Sequence, residues 1–409
     1  MKCRHCGSEL SLPFLDLATA PPSNAYLDAA QLQAPETWYP LRLLACEQCW
    51  LVQTEDYAGR EALFAADYAY YSSTSTSWLV HARSYVDMAV QRFALGAQSM
   101  VAEIAANDGY LLQYVLERGI PCYGVEPTAG TAAAARARGI TIFERFFGKG
   151  CAEELRAQQR QADLIIANNV LAHVPDINDF VGAFAVLLKP GGVASFEFPH
   201  LLRMVQGSQF DTAYHEHFSY LSLLVVDTIL SHNGLNIFDV EELPTHGGSL
   251  RVYAQRSDNR RARVREASVD ALLQEEARAG LRERPFYAGL QRQAERIKDD
   301  LLSYLIDARR QGLRVAAYGA AAKGNTLLNF AGVHGDLLAC VADRSPGKQG
   351  RYLPGSRIPI VAPERMLAGR PDRILILPWN IRSEVMGELA LAREWGARFV
   401  TAVPRLEES

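Results

Sequence analysis

The feature of this sequence that most constrains its fold is an alternation of short apolar runs with longer segments typical of helices. Short continuous apolar runs are typical of strands buried on both faces of a sheet. Helical segments between such runs are typical of the connections in a parallel sheet. The middle of the chain therefore predicts a parallel α/β sheet with strands at residues 100–104, 122–125, 141–143, 164–167 and 193–198.

Two further patterns follow the fifth run. Apolar runs at 236–242 and 250–255 flank a turn that contains Gly247 and Gly248, which predicts a hairpin at the edge of the sheet. The segment after it is rich in charged residues and poor in glycine and proline, which predicts long helices. The C-terminal part then repeats the first pattern, with apolar runs at 314–318, 337–342, 374–377 and 398–402, and predicts a second, smaller doubly wound α/β domain.

The 409 residues therefore divide into four predicted parts, which are a cysteine-containing region at 1–70, a first α/β domain at 71–256, a helical connector at 257–310 and a second α/β domain at 311–409. The 42 Lys and Arg against 46 Asp and Glu give a net charge of −4, which supplies no basic field for nucleic acid or an anionic membrane. No run approaches the ~18 apolar residues that span a bilayer, and the N-terminus has no signal-peptide core. We expect a cytoplasmic protein without a nucleic-acid or membrane partner, and a monomer is compatible with the sequence.

Four of the seven cysteines form two Cys-x-x-Cys pairs near the N-terminus. In a reducing compartment this pattern favours metal binding over disulfides, although a redox pair is the alternative. Four thiolates suit a closed tetrahedral zinc site, which has no open position for a substrate water. We therefore predict a structural Zn²⁺ that folds a region poor in apolar residues, with the ligands Cys3, Cys6, Cys46 and Cys49.

Polar residues and a glycine turn follow the predicted strands at their carboxyl ends. Gly109 opens a helix after the first strand, where backbone N–H groups allow a ligand to approach closely. Glu126 ends the second strand, where a carboxylate can accept hydrogen bonds from both hydroxyls of a ribose. Doubly wound sheets bind ligands at this edge, and the candidate cofactor-binding residues there are Glu103, Ala105, Asn107, Gly109, Tyr110, Glu126, Asn168 and Asn169.

Together with Lys189-Pro-Gly-Gly192 before the fifth strand and the terminal hairpin, these features resemble class I S-adenosylmethionine (SAM) methyltransferases, which have a Rossmann-like fold. A dinucleotide dehydrogenase fits less well, since nothing after its fifth strand calls for a hairpin. The resemblance implies SAM as the cofactor. It places Glu103 at the methionine end, Gly109 at the closest backbone approach and Glu126 at the ribose.

A polar cluster follows the fifth strand in Tyr214-His215-Glu216-His217. Two imidazoles around a carboxylate can hold one histidine in a fixed tautomer and tune its basicity. The spacing differs from the His-Glu-x-x-His of zinc hydrolases, so a second metal is not expected. Side chains that only satisfy the loop backbone are the alternative. His173, at the end of the fourth strand, is expected to face the same pocket.

The second α/β series carries a candidate phosphate site. Gly319-x-x-x-Lys323-Gly-Asn325 combines a strand, a glycine turn, a helix start and a lysine, which together favour phosphate binding. The segment does not match a Walker A loop, so ATP hydrolysis is not expected. A following loop offers Lys348 and Arg351 to a pyrophosphate and Asp343 to a ribose, although such residues are commonly only solvated.

Two more motifs belong to this series, namely Tyr68-x-Tyr70-x-Ser-Ser and His246-Gly-Gly-Ser249-Leu-Arg251. Taken in chain order, all of these motifs together resemble the SAM-dependent sugar C-methyltransferases with an N-terminal zinc-binding domain. The resemblance implies methylation at carbon C3 of a nucleotide-linked 4-keto-deoxysugar, where the ketone acidifies the neighbouring C–H bond and a base forms the enolate. The implied catalytic residues are His217 as the base, Glu216 as its orienter or a polar anchor, Tyr214 and His173 near the enolate oxygen or the sugar hydroxyls, and Tyr68. The implied substrate-binding residues are Tyr70, Ser249, Arg251, Lys323, Asn325, Asp343, Lys348 and Arg351.

Two other functions are compatible with the same residues. One is an O- or N-methyltransferase that acts on a small hydroxylated substrate. The other is a non-catalytic, zinc-stabilised nucleotide-binding protein, because Ala105 and Asn107 occupy positions where nucleotide-binding folds commonly have glycine. Loss of deuterium from C3 of the substrate identifies carbon methylation, and titration with SAM separates an enzyme from an inert scaffold.

Overall fold

The computed structural model describes residues 1–57, 59 and 71–409, and these residues form three sheets with helices around them. In chain order the described helices are α1 (Thr76–Arg92), α2 (Leu112–Leu116), α3 (Ala129–Ala137), α4 (Lys149–Ala157), α5 (Ile177–Leu187), α6 (Leu201–Gln206), α7 (Leu223–His232), α8 (Ala267–Arg278), α9 (Arg284–Tyr287), α10 (Leu290–Arg310), α11 (Ala322–Ala331), α12 (Pro363–Ala368) and α13 (Arg382–Glu388). Among these helices none combines the length and apolar character needed to cross a bilayer.

The central sheet has seven strands in the order β10-β11-β8-β7-β4-β5-β6. Five of them run parallel, and the hairpin of β10 and β11 pairs antiparallel with β8 at one side. The predicted parallel α/β sheet and its closing hairpin are therefore confirmed. The strands are β4 (Val101–Ile104), β5 (Cys122–Val125), β6 (Thr141–Phe143), β7 (Ala162–Asn168), β8 (Leu188–Pro199), β10 (Leu235–Leu243) and β11 (Ser249–Arg256).

Side-chain caps fix where the helices around this sheet begin. Ser75 accepts a hydrogen bond from the backbone N–H of Trp78 at the start of α1, at 3.3 Å. Asp176 does the same for α5 and Ser222 for α7. Each cap satisfies a backbone donor that the first helical turn would otherwise leave unpaired. The polar residues before these helices thus set the edges of the loops that surround the strand ends.

The N-terminal sheet is antiparallel, in the order β1-β2-β3-β9. Its first three strands are β1 (Leu12–Ala20), β2 (Tyr39–Ala45) and β3 (Val52–Thr54), and its fourth is β9 (Ser219–Tyr220). Val52 pairs with Tyr220 and Gln53 with Ser219. The sheet of the cysteine-containing region is therefore completed by a strand that directly follows the Tyr214–His217 cluster.

The C-terminal sheet has six strands in the order β14-β13-β12-β15-β16-β17 and is parallel except for the final pair. The second doubly wound domain is thus confirmed. Its strands are β12 (Val315–Tyr318), β13 (Val341–Ala342), β14 (Ile360–Val361), β15 (Arg373–Ile376), β16 (Arg398–Thr401) and β17 (Glu407–Glu408).

Helix α10, in the predicted connector, belongs to a core that spans both outer sheets. Its buried residues recur every three or four positions, at Leu290, Ala294, Ile297, Leu301, Leu305 and Ala308. That spacing places them on one helical face. The face shares a hydrophobic cluster with Leu43 of β2 and Leu375 of β15. Full burial of one leucine side chain stabilises a fold by about 1.5–3 kcal/mol. The buried face of α10 therefore holds the two outer sheets together, in addition to linking the domains along the chain.

Candidate active site

A cavity of about 670 Å³ lies at the carboxyl ends of the parallel strands of the central sheet. Three parts of the chain build its wall. The central sheet contributes its strand ends and the loop that contains Tyr214, Glu216 and His217. The N-terminal region contributes Asn24, and the C-terminal domain contributes the start of α11 with Lys323. The cavity therefore brings together polar residues that are far apart in the sequence.

Glu126 is fixed at one end of this cavity. Its two carboxylate oxygens accept hydrogen bonds from the backbone N–H groups of Asn107 and Thr128, both at 2.9 Å. Each carboxylate oxygen can accept more than one hydrogen bond, so both keep acceptor capacity for the hydroxyls of a ligand. A carboxylate fixed in this way could accept hydrogen bonds from the hydroxyls of a ribose.

The loop between β4 and α2 keeps its tight shape although two positions lack glycine. Ala105 and Asn107 both adopt the left-handed conformation, with φ of 57° and 50°. For alanine this conformation costs roughly 1–2 kcal/mol, while asparagine tolerates it better. Ala105, Asn107 and Tyr110 all line the cavity. The loop therefore has the conformation that glycine would favour, although Ala105 and Asn107 occupy these two positions.

Packing also constrains Gly109, in addition to the role that the sequence predicts for it. Its φ is 77°, and a side-chain Cβ at this position would collide with Ile140 and press on Ala135 of α3. Gly109 is not among the residues that line the cavity. Close packing of the loop against α3 therefore accounts for a glycine at this position.

Three more predicted cofactor residues lie at the strand ends. Asn168 and Asn169 line the cavity, and within the described residues neither amide atom of Asn169 has a protein partner. Glu103 is buried behind the wall, where burial raises the pKa of its carboxyl well above the ordinary value, with a further increase from Asp108. A fixed carboxylate and an unpaired amide on one wall are groups that fit the ribose and amino-acid ends of SAM.

The Tyr214–His217 cluster forms one hydrogen-bonded unit. Nδ1 of His217 lies 3.0 Å from the carbonyl oxygen of Thr212, which can only accept, so Nδ1 carries the proton. Nε2 is then the acceptor, and the hydroxyl of Tyr214 donates to it at 2.7 Å. The ring of His173 packs edge-on against His217, with 4.6 Å between ring centroids. The structure thus brings Tyr214, His217 and His173 together. His215 instead contacts the carbonyl oxygen of Pro40, and the carboxylate of Glu216 accepts from Asn24, so the predicted arrangement of two imidazoles around this carboxylate is not found.

Burial sets the protonation states of this cluster. It holds the pKa of His217 well below the ordinary value, and the nearby His173 lowers it further. It also lowers the pKa of His173 to about 4. Burial raises the pKa of Glu216 to about 7, although a hydrogen bond from Asn24 at 2.7 Å acts in the opposite direction. Near neutral pH the cluster therefore offers neutral imidazole acceptors beside a carboxyl that titrates there.

Lysines from the C-terminal domain line the opposite wall. Lys323 donates to the carbonyl oxygen of His246 at 3.3 Å and lies 4.4 Å from the ring centroid of Trp379. Burial lowers its pKa to about 8, so the ammonium is still mostly charged at neutral pH. Lys348 donates to the carbonyl oxygen of Ala320 at 2.8 Å. Lys323 lies in the first turn of α11, and the ammonium of Lys348 contacts Ala320 just before that helix. The start of α11 is therefore a place where an anion would be stabilised.

Several predicted substrate residues do not line the cavity. Arg251 forms ion pairs with Glu197 and Glu241 inside the sheet, and Ser249 donates to a backbone carbonyl. Three others also lie behind the wall or away from it. Asp343 forms an ion pair with Lys348 at 3.6 Å, and the side-chain amide of Asn325 donates to the carbonyl oxygen of Ser23. Asp343, Asn325 and Arg351 are all absent from the residues that line the cavity. The predicted residues Tyr68 and Tyr70 lie outside the described residues.

Other residues line the same cavity although no sequence pattern predicted them as site residues. Trp78 and His81 lie one turn apart at the start of α1, and their rings stack with 4.8 Å between centroids. Their spacing of three residues places both side chains on one helical face, and this pattern could have predicted that they act together. His246 also lines the cavity, with a φ of 56° in the hairpin turn. Asn24 lies in an irregular segment that carries no comparable pattern.

The four paired cysteines converge on one point. Their sulfur atoms all lie within 4.8 Å of one another, and the Cys3–Cys49 and Cys6–Cys46 sulfur pairs are each 3.5 Å apart. Zinc–sulfur bonds of about 2.3 Å place the sulfurs of a tetrahedral site roughly 3.8 Å apart. The donor set and its spacing fit a closed zinc site.

Family models match nearly the whole described architecture in order. A zinc binding domain matches residues 3–64, a methyltransferase domain matches 79–240, and a C-methyltransferase C-terminal domain matches 244–404. The strand-end cavity with its fixed carboxylate, followed by these matches, defines a SAM-dependent C-methyltransferase with a structural zinc site. The zinc and SAM expected from the sequence are thereby confirmed.

The chain belongs to the C-methyltransferase family that includes NovU of Streptomyces niveus. The two sequences are 33% identical over 406 residues, which are 98% of this chain and 95% of NovU. A ubiquinone biosynthesis O-methyltransferase of Bradyrhizobium is 27% identical over only 114 residues, 26% of this chain and 45% of that protein. Among solved structures, magnesium protoporphyrin IX methyltransferase of Synechocystis is 16% identical with a TM-score of 0.36, over 50% of this chain and all of that one.

Replacing Cys46 by serine should release the zinc, because a weaker ligand breaks a four-sulfur site whose atoms lie so close together. We expect the metal content to fall from about one zinc per chain to well below one, with a lower Tm, as measured by native mass spectrometry and thermal melting. The control is Cys340→Ser, which removes a half-buried thiol outside the cluster. Full zinc content together with an unchanged Tm in the Cys46 variant would contradict the assignment.

Replacing Glu216 by glutamine should change how stability depends on pH. Burial raises the pKa of this carboxyl from about 4.5 to about 7, so the folded state holds the proton more tightly than the unfolded chain does. The carboxyl therefore destabilises the fold progressively as pH rises between those values, by about 3 kcal/mol in total.

We expect the Tm of Glu216→Gln, relative to wild type, to rise between about pH 5 and about pH 8. Thermal melts of both proteins at several pH values measure this difference. The exposed Glu153→Gln is the control and should show a constant difference from wild type. A Tm difference for the Glu216 variant that does not change with pH would show that the carboxyl is not held in its protonated form.

Proposed function

We propose that the enzyme transfers the methyl group of SAM to C3 of a nucleotide-linked 4-keto-deoxysugar, in the biosynthesis of a branched sugar. The observation that carries the proposal is one cavity whose wall contains Glu126, the Tyr214–His217 pair and Lys323. These groups suit a ribose, an acidic C–H bond and a phosphate, respectively. Membership of the C-methyltransferase family supports carbon as the methylated atom.

The cofactor end of the cavity has the groups that SAM requires. Glu126 would hold the ribose hydroxyls, and the side-chain amide of Asn169 would hold polar atoms of the amino-acid end. Bound SAM supplies an electrophilic methyl group. The loop from β4 to α2 closes over this end through its left-handed residues Ala105 and Asn107.

His217 is the proposed base. Its Nε2 lone pair can take the proton from C3, and the electrons of the broken C–H bond then move onto the ketone oxygen as an enolate. The hydroxyl of Tyr214, which now donates to Nε2, can turn to the developing enolate oxygen and leave Nε2 for the incoming proton. The carbon of the enolate would then bond to the methyl group as the bond from that methyl group to the sulfonium sulfur of SAM breaks, which leaves S-adenosylhomocysteine and restores the ketone. A positioned base of this kind contributes about 10²–10⁴-fold to the rate.

The other polar residues bind the substrate in this proposal. Glu216 and His173 are polar anchors for sugar hydroxyls beside the base. The ammonium groups of Lys323 and Lys348, near the start of α11, are placed to hold the diphosphate. Asp343 forms an ion pair with Lys348 and would orient that lysine toward the diphosphate. The nucleotide would then extend over the C-terminal domain.

The proposal is tested by incubating the enzyme and SAM with a panel of nucleotide-linked 4-keto-6-deoxysugars that carry deuterium at C3. We expect one substrate to gain a single methyl group on carbon and to lose the C3 deuterium, as read by mass spectrometry of the product. An O- or N-methyltransferase would add the methyl group and keep the deuterium, which would reject carbon methylation. Absence of methylation across the whole panel would reject this substrate class.

Replacing His217 by asparagine should abolish turnover by removing the proton acceptor, with a loss of about 10²-fold or more. Binding of SAM, measured by isothermal titration, should stay close to wild type because the cofactor contacts lie elsewhere in the cavity. His215→Asn is the matched control, since His215 contacts the carbonyl oxygen of Pro40 and does not line the cavity. Near-normal turnover of the His217 variant would remove this residue as the base.

A further inference from the structure

The loop that carries Tyr214 and His217 is held at both ends by threonine hydroxyls from other parts of the chain. Thr54, at the end of β3, donates its hydroxyl to the carbonyl oxygen of His217 at 2.6 Å. Thr326, in α11, donates to the carbonyl oxygen of Ala213 at 2.8 Å. Both threonines are buried, with 1% and 2% of their surface exposed. One bond therefore comes from the N-terminal sheet and the other from the C-terminal domain.

These two bonds flank the hydrogen bonds that shape the cluster itself. The backbone N–H of His217 donates to the carbonyl oxygen of Tyr214 at 2.9 Å, which closes a turn between the two residues. Nδ1 of His217 donates to the carbonyl oxygen of Thr212, the residue before Ala213. A shift of the backbone at either end would therefore move the imidazole relative to the cavity.

Other hydrogen bonds also reach this loop, since the backbone N–H of Tyr214 donates to the hydroxyl of Tyr220 at 3.3 Å and the carbonyl oxygen of Phe218 accepts from the backbone N–H of Thr54 at 3.2 Å. The two threonine hydroxyls donate to the carbonyl oxygens on the two sides of the cluster, those of Ala213 and His217. The loop 212–218 belongs to no strand or helix over most of its length, so ladder hydrogen bonds do not fix it. A buried carbonyl that loses its donor is destabilised, and the backbone shifts to find another one. Reaction rates are sensitive to displacements of about 1 Å between a catalytic group and the reacting atom.

We propose that Thr54 and Thr326 are positioning residues for the methyl transfer, which fix the backbone on the two sides of the Tyr214–His217 pair from opposite domains. The proposal rests on the function proposed above, in which His217 is the base. Neither threonine is among the residues that line the cavity. Both act on catalysis through the placement of the loop.

The test compares Thr54→Val and Thr326→Val, which remove a hydroxyl at nearly constant volume, with Thr54→Ser and Thr326→Ser, which keep it. Loss of one hydrogen bond of about 1.4 kcal/mol corresponds to about a tenfold change in rate. We expect each valine variant to lower kcat by about tenfold, with the affinity and stoichiometry of SAM binding unchanged. Each serine variant should recover most of the lost kcat.

Amide hydrogen exchange measures the placement of the loop without any substrate. In the valine variants we expect faster exchange in peptides that cover residues 212–220, and in the serine variants a rate near wild type. The matched control is Thr228→Val, which removes an exposed hydroxyl that bonds only within its own helix. Its kcat and its loop exchange should both equal those of wild type.

The outcomes separate this inference from the proposed function. Valine variants with wild-type kcat and wild-type loop exchange would overturn the positioning role. A lower kcat accompanied by fewer SAM sites per chain would also overturn it, because that pattern shows a loss of folded enzyme. If His217→Asn keeps its turnover, the base assignment fails, and the exchange measurement still decides whether the two hydroxyls hold the loop.

Discussion

The pairing of β3 with β9 is the contact on which the shape of the cavity depends, because it joins the zinc-binding region to the strand that follows the Tyr214–His217 cluster. Gln53 of β3 donates to the sulfur of Cys3 at 3.3 Å and accepts from the backbone N–H of Arg4 at 2.9 Å. Arg4 in turn donates to the carbonyl oxygen of Phe218 at 3.2 Å. The Cys3–Cys6 turn, β3 and the end of the 212–218 loop therefore form one hydrogen-bonded unit. This arrangement explains why an enzyme keeps a metal site that has no open position for chemistry.

Burial in the cavity separates the titration behaviour of neighbouring groups. The charged form of each group is disfavoured away from water, so the pKa of a carboxyl rises and the pKa of an imidazole falls. Glu216, with a pKa of about 7, therefore stands beside His217 and His173, which are neutral at that pH. A neutral imidazole can accept a proton without first losing one, and the Tyr214 hydroxyl already marks the acceptor nitrogen. Desolvation thus keeps both imidazoles neutral, with Nε2 of His217 as an acceptor, and it also lowers the affinity of His217 for a proton.

Sequence patterns predict the parts of this structure that local chemistry determines. Apolar runs predict the parallel strands, the cysteine spacing predicts the metal cluster, and strand-end polarity predicts that Glu126 and His217 belong to one pocket. Patterns along the chain do not show which distant segments meet, so the pairing of β9 with the N-terminal sheet was not predicted. The same limit applies to Arg251, whose position in a motif suggests a ligand but whose ion pairs lie inside the sheet. Gly109 shows that a glycine can be explained by packing against a helix as well as by ligand approach.

The two halves of the cavity differ in how they are built. The half around Glu126 is formed largely by loops of one sheet, whereas the half around His217 also contains Asn24 from the N-terminal region, residues of the 212–218 loop and the start of α11. Helix α10 packs against β1 and β12, and its apolar face belongs to a core that also contains Ala213 and Tyr220 at the two ends of the loop. Close-packed interiors resist displacement, so the half of the cavity around His217 is stiffened by the same contacts that join the domains. The loop that carries His217 has little regular structure of its own, and the shared core is therefore what fixes its position.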